Sequence, residues 1–390
     1  MKHLYVHIPF CRSRCTYCDF ASEPIGRHER AGRVERYLDT LRAELAERTT
    51  VQDVDAADLH ADRFETIYMG GGTPTVLPGD ELVALTEDFA RLLCHPHDVG
   101  PDPREALTSE FSVEANPGTI DAPLLQRLAH AGVTRLSLGV QSFSPALRAA
   151  LGRRVTQKEI EDALAAIDAA DWREWNLDLV FGIPGQSRRE AAADLDAAVA
   201  SGPTHISLYD LTYTPAFEAR IAATLGAGAR TAAGAYAELY YAEAVARLEA
   251  AGYHRYEVSN FARPGHECRH NQAYWRGEDY LGIGAAAVST VGAERRVNPR
   301  SVIDYLARRP PQVEALSPST RLWEKAMLGL RTSEGVEETA ILPVLETAAR
   351  DRLLDQGCLV RCCGRLRLNP GFLDISNAVI STLLVGPEES

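Results

Sequence analysis

From Met1 to about Ala251 short β-branched or apolar runs alternate with longer amphipathic stretches, a rhythm that predicts repeated βα units with parallel strands. Six strands are predicted, near His3 to Ile8, Glu65 to Met69, Glu110 to Ala115, Arg135 to Gln141, Asn176 to Phe181 and His205 to Leu211. Successive side chains of a strand point to opposite faces, and here the two faces differ in kind. One face reads Leu4, Val6, Ile8, Ile67, Met69, Val113, Leu136, Leu138, Val140, Leu177, Leu179 and Phe181. The other carries Tyr5, His7, Tyr68, Gly70, Ser112, Glu114, Ser137, Gly139, Gln141, Asn176 and Asp178. A closed eight-stranded barrel fills its interior with branched apolar side chains, so a polar inner face points to an open barrel lined for ligand binding. Helices then cover the apolar outer face. The fold class is α/β, a partial (β/α)6 TIM-like barrel.

The helix ends are legible. Thr156-x-x-Glu159 and Ser187-x-x-Glu190 are capping boxes, and Gly132, Gly202 and Gly252 stand where helices stop. After Gly252 come a His-, Arg- and Asn-rich loop (Ser259 to Asp279), a Gly/Ala-rich run (Leu281 to Gly292) and a Pro/Arg-rich stretch ending near Pro318, which is the linker candidate. The tail reads as a small α+β unit of winged-helix type: a helix from Arg321, another near Pro343 to Gln356, a hairpin Cys358 to Leu368 turning near Gly364, and a last helix over Ile375 to Leu384.

With 390 residues, 45% of them hydrophobic and 24% charged, the chain holds one large core and a smaller one. Lys+Arg 41 against Asp+Glu 54 gives a formal charge of −13, which repels phosphate backbones and argues against nucleic acid as partner. The hairpin's only basic residues are Arg361, Arg365 and Arg367, too few for a DNA-binding wing in so acidic a chain. No signal peptide is recognised at the N-terminus, and no apolar run is long enough to span a bilayer. A reducing, cytoplasmic location is therefore expected, with association at a membrane surface and homodimerisation left open.

The chemistry-bearing feature is Cys11, Cys15 and Cys18, at C-x3-C-x2-C spacing just after the first strand. Three crowded thiolates hold three irons of a [4Fe-4S] cube and leave the fourth open to an outside ligand. A Cys3His zinc site using His7 is the alternative, although structural zinc ligands usually come as two separated pairs. The other cysteines, Cys94, Cys268, Cys358, Cys362 and Cys363, are too scattered for a disulfide framework. Those of the hairpin read as small core or surface residues rather than ligands.

Taken together, the three cysteines, the Gly70-Gly71-Gly72-Thr73-Pro74 loop and the partial barrel resemble the radical S-adenosylmethionine (SAM) superfamily. In that family the open iron chelates SAM, and electron transfer cleaves its C–S bond to give a 5′-deoxyadenosyl radical. The runs Tyr5 to Cys11, Gly70 to Thr75, Phe111 to Asn116, Arg135 to Gln141, Asn176 to Pro184 and His270-Asn271-x-x-Tyr274-Trp275 narrow the resemblance further. They are similar to the branch of the oxygen-independent coproporphyrinogen III oxidases and the HemW-type haem chaperones.

The resemblance implies a radical SAM domain over 1–300 and a HemN-like C-terminal domain over 301–390. It implies cluster ligands Cys11, Cys15 and Cys18, and SAM contacts at Tyr5, Tyr17, Gly71, Gly72, Thr73, Glu114, Gln141, Arg153 and Asp178. The null alternative for the polar members is that they satisfy one another inside the fold. His270 of the H-N-x-x-Y-W motif is the candidate haem ligand, with Cys268 and His266 as neighbours, and no catalytic residue is assigned. Two departures favour chaperone over oxidase: Phe20 stands where the oxidases carry a further cysteine, and only four residues precede Tyr5. Haem and client haemoproteins are the expected partners; coproporphyrinogen oxidation is the alternative, which the chain is predicted to lack.

Overall fold

The computed structural model of the chain describes residues 2–26, 30–50, 64–93, 109–214, 217–219 and 237–386; Cys94 lies outside them. The six predicted strands are present: β1 (His3–Ile8), β2 (Thr66–Gly71), β3 (Glu110–Ala115), β4 (Arg135–Gln141), β5 (Trp175–Phe181) and β6 (His205–Asp210). They lie side by side in chain order, each parallel to the next. The apolar face is buried against the surrounding helices, with Leu4, Val6, Ile8, Ile67, Val113, Leu136, Leu138 and Leu177 at 0% exposure. That burial gives each of these side chains about 1.5–3 kcal/mol of transfer free energy. Both capping boxes form, since Thr156 and Ser187 each accept from the N3 backbone while Glu159 and Glu190 reach back.

Six further strands follow: β7 (His254–Arg255), β8 (Asn260–Ala262), β9 (Tyr280–Ile283), β10 (Val288–Val291), β11 (Glu294–Val297) and β12 (Gln312–Ala315). Among the described residues they extend the same sheet to twelve strands, in the order β12-β11-β10-β9-β1-β2-β3-β4-β5-β6-β8-β7. Only β9 is parallel to its barrel neighbour, β1; the rest add antiparallel. The run expected to be merely Gly/Ala-rich therefore carries two strands, and Gly282 sits in the first because a Cβ there would collide with the Val288 carbonyl.

The linker expected before Pro318 is also structured. Val302 and Tyr305 belong to the large core, and Glu44 of the helix Arg30–Thr50 accepts from Gly284 N, Asn298 Nδ2 and the Tyr305 hydroxyl at 2.9, 2.7 and 2.7 Å. The second core gathers residues from Ala326 to Leu384. That second unit packs the helices Pro318–Gly329, Thr347–Asp355 and Ser376–Leu383 with a three-stranded sheet. Its strands are β13 (Val336–Glu337), β14 (Leu359–Cys362) and β15 (Arg365–Leu368), with β15 in the middle. Arg255 ties the units by donating to Asp374 Oδ1 at 2.9 Å.

Candidate functional site

The cysteine loop leaves β1 at Pro9 and is clamped at both ends. Phe10–Cys11 pairs in parallel with Glu23–Pro24, and Thr16 donates through both its N–H and its hydroxyl to Leu151 O at 3.1 and 2.9 Å. All three thiols are partly exposed and face one cavity of about 630 Å³ at the C-terminal ends of the barrel strands. The same cavity is lined by Tyr17, Gly71, Gly72, Thr73, Glu114, Gln141, Arg153 and Asp178, so the fold gathers eight of the nine expected SAM contacts.

Tyr5 is the exception. It lies behind this cavity, its hydroxyl on His7 Nδ1 at 3.0 Å and its ring stacked on Tyr68 at 6.3 Å. His7 Nε2 is also committed, to Ala21 O at 2.9 Å, so neither ring nitrogen is left to complete a zinc site. No three His, Cys, Asp or Glu groups among the described residues converge on one metal-ion position. Three partly exposed thiols on one cavity would suit a multi-iron cluster, each holding one iron.

Burial pushes the Cys11 and Cys15 thiols up; Thr73 donates to Cys11 Sγ at 3.8 Å, and Arg153 Nη1 to Cys15 Sγ at 3.9 Å, both favouring thiolate. Arg153 also donates to Asn116 Oδ1 at 2.6 Å and to the Gly139 carbonyl, which leaves its Nε buried without a partner. A guanidinium that lines a cavity is suited to a ligand carboxylate.

Glycine is required at the cradle by the protein itself. Gly71 has φ +106°, with its missing side chain directed at the His7 ring, and a Cβ on Gly72 would lie 2.6 Å from Phe10 O. The loop thus lies flat on β1 and presents backbone to the cavity.

Glu114 accepts from the Tyr68 hydroxyl and from Gly71 N, both at 3.0 Å. Burial, and secondarily the charge of Asp178, push its carboxyl up to about 7. Asp178 is also raised by burial, and is held by Asn176 Nδ2 at 2.7 Å. Burial thus favours the neutral form of both carboxyl groups, so a charged partner in the cavity would shift their protonation. At the end of β4 a register shift places Gln141 at φ +72°, a strained conformation that aims the strand end at the cavity.

Sequence reasoning put Ser137 and Asn176 on the polar face and Asn116 in a matching run but assigned none of them a role. Asn116 donates to Thr73 Oγ1 while accepting from Arg153; Asn176 is fixed by Ser137 at 2.8 Å and by His205 at 2.6 Å. Asn116 closes the run Phe111 to Asn116 and Asn176 is the second residue of β5, so strand position was the available signal.

His270 does not sit on a loop. It lies on the helix Arg269–Trp275, only 1% exposed, at the end of the barrel where the strands begin. Its Nδ1 shares a 2.7 Å hydrogen bond with Thr66, its ring stacks on Tyr68 at 5.3 Å, and its Nε2 is buried without a partner. Burial lowers its pKa to about 3, so the imidazole is neutral. Cys268 is buried on Glu110, and His266 is paired with Glu174 at 2.8 Å.

A partly open parallel barrel, with three thiols and a glycine cradle at its C-terminal mouth, defines the class of protein. The pattern of the radical SAM superfamily matches residues 5–198. A Synechocystis protein named heme chaperone HemW is 35% identical, over 90% of this chain and 82% of its own length. The Mycobacterium tuberculosis heme chaperone HemW is 34% identical over 98% and 94%. Coproporphyrinogen III oxidase (HemN) from Escherichia coli shares the fold, with a TM-score of 0.76 at 20% identity over 98% of this chain and 89% of its own. The chain belongs to the radical SAM superfamily and, within it, to the HemW family. Membership implies a [4Fe-4S] cluster and SAM.

Proposed function

We propose that this protein binds haem and delivers it to client haemoproteins, with a [4Fe-4S] cluster on Cys11, Cys15 and Cys18 and SAM in the adjoining cavity. The reading is carried by one observation: HemW relatives align over almost the whole chain, while Phe20, 65% exposed on the cavity rim, stands where the oxidases place a further cysteine. A cytoplasmic site of action accords with this, and no helix among the described residues is long and apolar enough to cross a membrane.

The residues present fit both groups. The Arg153 guanidinium at the cavity wall would pair with the SAM carboxylate, and the Glu114–Asp178 pair would receive a cationic or hydroxyl-bearing part of SAM. Thr73 and Asn116 hold Arg153 and the cradle in one network, so the site is organised before ligand arrives. When bound, the cluster and SAM supply one-electron chemistry at a carbon–sulfur bond. Tyr17, raised by burial, keeps its hydroxyl proton at the cavity wall.

For haem, His270 offers a neutral Nε2 whose ring is oriented through Nδ1 by Thr66, as axial ligands commonly are. Ligation requires the helix Arg269–Trp275 to lift from Tyr68 and His3, because both rings now cover His270. The test is anaerobic, on reconstituted protein. Added haem is expected to give a Soret band that changes in His270→Ala, and coproporphyrinogen III with SAM is expected to remain unconverted. Turnover to protoporphyrinogen would replace this reading with the oxidase one.

A further inference from the structure

We propose that Cys362 and Cys363, at the tip of the β14–β15 hairpin, form a dithiol chelate for a single thiophilic metal or metalloid ion. The site lies in the C-terminal unit, outside the cavity described above, and does not depend on the haem reading.

The hairpin closes with Cys362 paired to Arg365, so its loop is the two residues Cys363 and Gly364. Both are left-handed, at φ +53° and +76°, the pattern of a type I′ turn. Asn, Asp or Gly normally fills the first position, because a side chain there is strained; Cys363 accepts that strain. The consequence is geometric. Neighbouring side chains of a strand point apart, but the left-handed step brings the Cys363 thiol back beside that of Cys362, with the sulfurs 3.5 Å apart and both residues exposed.

That separation is close to the bite of one ion. Two thiolates on a tetrahedral zinc with bonds of about 2.3 Å lie about 3.8 Å apart. Oxidation to a disulfide is opposed, since adjacent Cα atoms are about 3.8 Å apart and an unstrained bridge needs at least about 4.4 Å. The pair therefore persists as free thiols in a reducing medium. The nearest cations are already engaged, Arg361 by both Glu338 oxygens at 2.6 and 2.7 Å and Arg365 by Glu334 O at 3.0 Å, and do not occupy the sulfurs. Cys358 packs against the second core instead.

Binding involves no change of oxidation state. With hydrated phenylarsine oxide, each thiol passes its proton to an arsenic hydroxyl; two As–S bonds form, two As–O bonds break and two waters leave. With zinc, two thiol protons go to solvent and two coordinated waters are displaced.

The experiment uses the full chain with its cluster reconstituted anaerobically, which engages Cys11, Cys15 and Cys18. Phenylarsine oxide is expected to bind at one equivalent, resist 2-mercaptoethanol and be released by 1,2-ethanedithiol. Cys362→Ser and Cys363→Ser should each weaken binding by on the order of a hundredfold, the loss of an intramolecular second contact. Cys358→Ser should leave it unchanged. Retention of zinc in parallel extends the ligand class to tetrahedral metal ions, and retention of the arsenical alone narrows it to metalloids. Binding that is insensitive to both tip substitutions, or that falls only twofold in each, overturns the proposal.

Discussion

The Tyr68 hydroxyl donates to Glu114 Oε1 at 3.0 Å from a ring whose face is packed on His270, so the cavity beside the cysteines and the H-N-x-x-Y-W helix meet at one side chain. Tyr68→Phe keeps the stack and removes the donor. It should weaken SAM binding about tenfold, the worth of one hydrogen bond to a charged group, as read by equilibrium binding on anaerobic protein.

Glu114 makes stability depend on pH in an unusual direction. Its carboxyl is raised from 4.5 to about 7, so the folded chain holds a proton that the unfolded chain releases between those values. The stabilisation is full below pH 4.5 and is lost as pH rises through 7, by roughly 3 kcal/mol at most. Denaturant unfolding of wild type and Glu114→Gln between pH 5 and 8 should show the difference shrinking upward; a constant difference would discard this account.

His270 works the opposite way. Its pKa is lowered from 6.5 to about 3, so the stability it confers is present above pH 6.5 and drains as pH falls towards 3. Relative to His270→Ala, wild type should lose stability below pH 6.5 in the same unfolding series.

Arg153 spans Cys15, Asn116 and Gly139 at the wall of the cavity. Arg153→Lys loses the forked geometry while keeping the charge, and should cost SAM affinity tenfold or more with the cluster's absorbance retained. Loss of the cluster in the same variant would assign Arg153 to the cysteine loop instead.

Gly71→Ala should lower stability by about 1–3 kcal/mol and abolish SAM binding, because φ +106° and the His7 ring both oppose a side chain. Gly185, also left-handed at φ +80° but with open space around it, is the control: its alanine variant meets the backbone cost without the collision.

The barrel was legible because burial on one face and ligand chemistry on the other leave a period-two signal that needs no partner strand to be read. Cys11, Cys15, Cys18 and the glycine run were legible for a similar reason, since their chemistry lies in local spacing. The β9–β12 extension was not, because Gly282 and short polar strands such as Gln312–Ala315 owe their conformation to neighbours rather than propensity.

The sequence by itself therefore determined the six-stranded parallel barrel, the cluster loop and most of the residues around the cavity. The tertiary structure decided what each polar residue is bound to. It committed both nitrogens of His7, left the Nε of Arg153 buried without a partner, and buried His270 at the barrel end away from the cysteines. It also turned two adjacent cysteines into a facing pair. Hydrogen bonds and burial depend on which distant segments meet, and that information lies in the packing of the whole chain.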